Sequence, residues 1–202
     1  MRKPLSIMIA ATALGLALAP AAAFADSATE DLLLARDACG GTGAANTRLA
    51  LSAGTATGGC GSALGGASPS TTTYPATEGV PVLVDDSRPV VVDIDLTSYH
   101  GVAVGGIGDE TVSVELTGTR DKKSVTLGTG SSTIAAADML RTPHYTAEFS
   151  MPLGAAKAGT YTALSLDVTV GGAFFSGYVD HGGKSFVSVP VFDPPADPGS
   201  GG

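Results

Sequence analysis

Tryptophan and glutamine are absent from this 202-residue chain, and asparagine occurs once, at Asn46. With no Trp and aromatics at only 5% of residues, a sugar-binding platform built on ring stacking has little material. Asn46 precedes Thr47-Arg48 and so is not an N-glycosylation acceptor. The lack of Asn and Gln beside so much Ala and Gly points to a GC-rich bacterial gene. Basic residues are also scarce: 11 Lys and Arg stand against 19 Asp and Glu, a net charge of −8. Affinity for nucleic acid or an anionic membrane surface comes from clustered cations, so both partners are excluded. The acidic excess reads as solubility through self-repulsion.

Chemical signatures are missing too. The three histidines, His100, His144 and His181, show neither His-x-x-x-His nor His-Glu-x-x-His spacing, so no zinc site is legible. Gly-x-Ser-x-Gly does not occur, which removes the strand-to-helix nucleophile turn. Gly182-Gly183-Lys184-Ser185 imitates the end of a phosphate-binding loop. Tyr178 stands where that motif requires Gly, and an apolar alternating run follows in place of a helix. The segment reads as a turn, and no cofactor is expected.

Only one long apolar run exists, and it lies at the start. Arg2 and Lys3 precede an uncharged stretch from Pro4 to Ala19; Pro20 breaks it, and Ala23-Phe24-Ala25 supplies small residues at the peptidase positions. This order is that of a secretory signal peptide, cleaved between Ala25 and Asp26. The run is shorter than the ~20 residues of a spanning helix. The mature chain is therefore expected to lack a transmembrane segment and to be secreted or held in the cell envelope. Removing 25 residues from 202 leaves 177, a size usual for one domain, and removing Arg2 and Lys3 moves the charge from −8 to −10. Cys39 and Cys60 are the only cysteines. In an exported chain such a pair is expected as a disulfide. Closing this Gly/Ala/Thr-rich loop of about 22 residues would contribute roughly 3 kcal/mol in the chain-entropy model.

Composition divides the exported part into a disulfide-closed Gly/Ala/Thr-rich segment (26–79), a strand-rich core (80–193) and a Pro/Gly tail (194–202) expected to be disordered. Ser27-Ala28-Thr29-Glu30 has the form of a capping box before Leu32-Leu33-Leu34, so residues 26–38 read as either a short helix or a first strand. Period-two alternation then recurs over 90–97, 111–117, 144–151 and 164–170, each with one apolar and one polar face. That is the pattern of antiparallel sheets solvated on one side. Arg120-Asp121-Lys122 reads as a polar turn. Gly171-Gly172 reads as a two-residue hairpin and 180–183 as the next reversal, giving a three-strand meander near the C-terminus. Residues 131–142 have a helix-friendly composition suited to a crossover. The fold class is all-β: an antiparallel β-sandwich with little helix, a jelly-roll variant remaining open.

Leu153, followed by Ala158-Gly159-Thr160-Tyr161 and then a strand, resembles the E–F corner of bacterial immunoglobulin-like and fibronectin-type-III-like domains. The resemblance is local to residues 153–170. It implies a structural Tyr161 whose hydroxyl bonds back to the backbone near the corner. Tyr161 and Ala163 are out of phase with 164–170, which calls for a bulge.

Asp93 and Asp95 alternate on one strand and share a face, with Asp85 and Asp86 nearby, so they are calcium candidates. Ca²⁺ takes six to eight oxygens, and solvent-facing acids explain the pair without an ion. Tyr99, Phe174, Phe175 and Tyr178 are the candidate ligand surface, since an exposed ring at a loop edge can anchor a partner. The expected function is that of a noncatalytic extracellular or cell-envelope module contacting a protein or polymer. The alternative is a secreted hydrolase whose site gathers His144 or His181 with carboxylates distant in sequence.

Overall fold

The computed structural model describes residues 27–36, 47–51, 63–65, 69–76, 78–98, 109–135, 144–172, 176–181 and 183–192. They form strands β1 (Ser27–Arg36), β2 (Thr47–Ala50), β3 (Ala63–Gly65), β4 (Ser70–Pro75), β5 (Val82–Val84), β6 (Val90–Ser98) and β7 (Glu110–Arg120). β8 (Lys123–Ile134), β9 (His144–Met151), β10 (Gly159–Tyr161), β11 (Ala163–Gly172), β12 (Ser176–Val179) and β13 (Phe186–Phe192) follow, with one 3₁₀ turn at Ala155–Lys157. Among the described residues no helix is long and apolar enough to cross a membrane.

The strands make two antiparallel sheets. In the larger one β6 is central. One of its edges takes β9 from Val90↔Met151 to Thr97↔His144, and the other is shared by β13 and β12. β13 pairs on with β1 and, through Val191, with β5; β2, β10 and β3 extend β1, β5 and β12. The smaller sheet runs β4-β11-β7-β8. Period-two alternation explains the layering. Val92, Ile94 and Leu96 from one sheet and Val112, Leu116, Leu166 and Val168 from the other are fully buried against a common core. Burial of each such side chain stabilises by about 1.5–3 kcal/mol. The all-β sandwich is thus the observed architecture.

Several local expectations come out differently. Residues 27–36 are strand: Leu32 and Leu34 enter the core while Asp31 faces out, and the partner β13 decides what a capping-box sequence left open. β1–β4, which precede Val80, pair within the same two sheets as the later strands. Ser131–Ile134 completes β8, paired to β7, where a crossover helix was expected. The turn after Arg120 is as expected. Asp121 (φ 53°) and Lys122 (φ 61°) are both left-handed, the form a two-residue hairpin with right-handed twist demands.

The expected C-terminal meander does not form. Gly171 and Gly172 stay in β11, opposite Thr111 and Glu110, and the chain then leaves for the other sheet, where β12 pairs with β6 and β3. Nor do β12 and β13 reverse on each other; they lie end to end along β6. Had the register Leu96↔Val179 continued, Asp93 would face Gly182. It faces Phe186, so four extra residues are looped out between the two strands.

The phase break at Tyr161 also has another cause than a bulge. β10 belongs to the larger sheet and β11 to the smaller, so the chain changes sheets at Thr162, and Tyr161 and Leu164 both point into the core. The register irregularity lies elsewhere, on β8, where Leu116↔Gly128 is followed by Thr117↔Thr126 and the extra residue, Leu127, is buried.

Candidate functional site

The corner before the sheet change is built for rigidity. Tyr161 is fully buried and its hydroxyl donates to the Lys157 carbonyl at 2.7 Å, the back-bond that the corner resemblance implied. The Arg120 guanidinium lies 5.3 Å from the ring centroid. Its two terminal nitrogens donate to the Ala158 and Ala156 carbonyls at 2.9 and 3.0 Å. Lys157 Nζ reaches the Leu127 carbonyl at the β8 bulge, 2.8 Å away. Opposite the ring stands Gly118, where a Cβ would come within 2.5 Å of Tyr161 Cδ1. This corner is structural.

The four-residue insertion between β12 and β13 has a different character, since it buries polar groups. Asp180 is 3% exposed, His181 1% and Ser185 0%. Neighbours on an extended chain face opposite ways. His181 turns into the core, where its Nε2 lies 3.1 Å from Tyr74 Oη and the rings meet edge to face. Asp180 turns to the outer face of the larger sheet and accepts from Thr97 Oγ1 at 2.6 Å. Thr97 Oγ1 is also 2.9 Å from His144 Nδ1. A hydroxyl has one proton. That proton goes to Asp180, so His144 donates through Nδ1 and, in its neutral form, carries its lone pair on Nε2. Lys184 Nζ approaches the same carboxylate at 3.8 Å. Ser185 Oγ accepts from the Asp95 amide at 2.9 Å, fixing the return of the chain to β6.

This carboxylate–hydroxyl–imidazole chain joins β6, β9 and the residue that follows β12, and brings a histidine and an acid distant in sequence together. It can hold an oriented imidazole at the surface, since the His144 side chain is 65% exposed. The sequence offers His144 and His181 for such a gathering but carries no signal for Asp180 or Thr97.

Asp93 and Asp95 do share the outer face, with Glu148 directly across from Asp93 on β9. Burial first, then the charges of Asp95 and Glu148, hold the Asp93 carboxyl above its ordinary range. Asp95 accepts from Thr146, and Asp85 is engaged by the Ser87 hydroxyl and amide. Among the described residues no group of three or more His, Cys, Asp or Glu is placed to hold a metal ion. Tyr178 lies on β12 in register with Thr97. Tyr99, Phe174, Phe175, Cys39, Cys60 and the 1–25 segment lie outside the described residues, as does 194–202.

The outer face of the smaller sheet carries a feature that no single segment of the sequence announces. Its register lines up hydroxyls in rows across four strands. Thr71, Thr169, Ser113 and Ser131 form one row; Thr73, Asp167, Glu115 and Thr129 the next; Ser165, Thr117 and Thr126 a third. Thr71 and Thr169 share a hydrogen bond of 2.7 Å. Thr73 donates to Asp167 at 2.6 Å and Thr126 to Glu115 at 2.9 Å, so each of two facing carboxylates is supported from its own flank. The signal was the Thr and Ser at alternate positions of 71–73, 111–117, 126–133 and 165–169, which only the strand register assembles into a surface.

No family model matches this chain, and no similar curated protein was found. Its reading rests on the geometry.

Proposed function

We propose that the protein is a noncatalytic binding module of the extracellular space or cell envelope. The observation that carries this reading is the hydroxyl-lined outer face of the β4-β11-β7-β8 sheet, an extended surface held by cross-strand bonds. A rigid sheet presents its side chains at fixed spacings, about 4.8 Å between strands and 6.7 Å along them. Such a surface suits contact with an extended partner. In this reading the N-terminal segment directs export, Cys39 and Cys60 form a disulfide outside the cytoplasm, and the sandwich is of the immunoglobulin-like kind, as the Tyr161 corner suggests. Pull-down from envelope fractions, read against a panel of glycans and proteins, tests the function. Saturable capture supports it; no capture across the panel, together with turnover of a generic ester or peptide library, overturns it.

The second reading is a secreted hydrolase, favoured by the Asp180–Thr97–His144 chain. Buried carboxylates that orient an imidazole serve general-base chemistry. Hydrolysis lost in H144Q and D180N, with folding retained, would support this alternative.

A further inference from the structure

We infer that the outer face of the β4-β11-β7-β8 sheet recognises a neutral polyhydroxylated polymer, a polysaccharide without charged groups, by hydrogen bonding and not by ring stacking. The inference rests on the binding-module reading and names its partner class. Three features of the face select this occupant. First, among the described residues its outward positions bear no Lys, Arg or aromatic ring, which leaves a polyanion no counter-charge and a sugar ring no stacking partner. Arg120 and Lys157 are committed to the corner carbonyls and the bulge, and Lys122 and Lys123 stand at the β7–β8 turn, beyond the three rows.

Second, the only charges on these rows are Asp167 and Glu115, directly opposite each other on adjacent strands. Like charges facing across a sheet destabilise it, yet here each receives a threonine proton. The carboxylates keep further lone pairs, so they act as strong acceptors that repel anionic polymers and attract hydroxyl donors.

Third, the rows differ in polarity. Thr73 and Thr126 spend their protons on the carboxylates and so present acceptors outward. The Thr71–Thr169 pair uses one proton between two hydroxyls and keeps the other to donate. A surface that offers both donors and acceptors is met by a partner whose groups both donate and accept. Sugar hydroxyls do so; phosphate, sulfate and carboxylate groups only accept.

The test uses the exported full chain and depletion from solution by insoluble cellulose and chitin, with polygalacturonate as the anionic comparison. The expected result is depletion by a neutral polymer that changes little with salt, since no counterions are released, and none by polygalacturonate. The double variant T129V/T169V keeps β-branched shape and should weaken binding about tenfold or more, a few hydrogen bonds' worth. T129S/T169S should restore it. D167N/E115Q should also weaken it. All variants are checked for retained cooperative thermal unfolding. Neutral-polymer binding unaffected by these substitutions overturns the assignment to this face and leaves the binding module standing. Binding only to polygalacturonate or to envelope proteins overturns the polymer class and again leaves the module. Binding to nothing overturns both.

Discussion

Replacing Tyr161 with Phe isolates one bond of the corner. The substitution keeps the ring that packs over Gly118 and beneath Arg120 and deletes only the hydroxyl that donates to the Lys157 carbonyl. A net hydrogen bond contributes about 0.5–1.5 kcal/mol, and leaving a part-buried acceptor without its donor adds to the loss, so the expected cost is about 1–2 kcal/mol. With a urea slope of about 2 kcal/mol/M, the unfolding midpoint should fall by roughly 0.5–1 M with the slope unchanged. Y161A removes the ring as well and should cost about 3–5 kcal/mol. A Y161F midpoint equal to that of the unsubstituted protein would refute the argument that the hydroxyl fastens the corner. A loss in Y161F as large as in Y161A would show that the ring does not stay packed without it.

Three further outcomes are expected. R120K loses both the two-nitrogen grip on the Ala156 and Ala158 carbonyls and the stacking on Tyr161, and should lower stability by about 1–2 kcal/mol in the same urea assay. K122G relieves a left-handed residue at the β7–β8 turn; the relief of about 1–2 kcal/mol exceeds glycine's entropic cost, for a net gain of roughly 0.5–1 kcal/mol by thermal unfolding. Burial raises the Glu110 carboxyl above its ordinary range. The folded state therefore binds more protons than the unfolded state between the ordinary and the raised value, and stability falls as pH rises through that interval. E110Q should be the more stable form at neutral pH and lose that advantage at acid pH; a difference independent of pH would count against the burial cause.

Much of the sandwich was legible because its central strands each have one wet face. Residues 144–151 alternate without interruption, and β9 has those bounds. β4 escaped notice because Thr72 and Tyr74 are its buried pair, and Ser-Thr-Thr-Thr reads as loop until β11 supplies a partner. The end-to-end placement of β12 and β13 depends on pairing with β6, some eighty to a hundred positions earlier, which no local pattern encodes. The same holds for the candidate site: Thr97 and His144 are each unremarkable in their own strands, and Asp180 in the segment after β12. The Tyr161 back-bond was readable from a short motif because its acceptor lies only four residues away.

The pairing of β1 with β13 has a mechanical consequence. Ser27, which opens β1, faces Phe192, which closes β13, so the chain enters and leaves the fold on the same rung of one ladder. Ser27 and Phe192 sit about one strand spacing apart, roughly 5 Å. Tension applied through both ends would load that first rung alone and peel β1 from β13 one rung after another, the weak direction of an antiparallel pair. A load carried across the hydroxyl face would instead be shared by four strands at once.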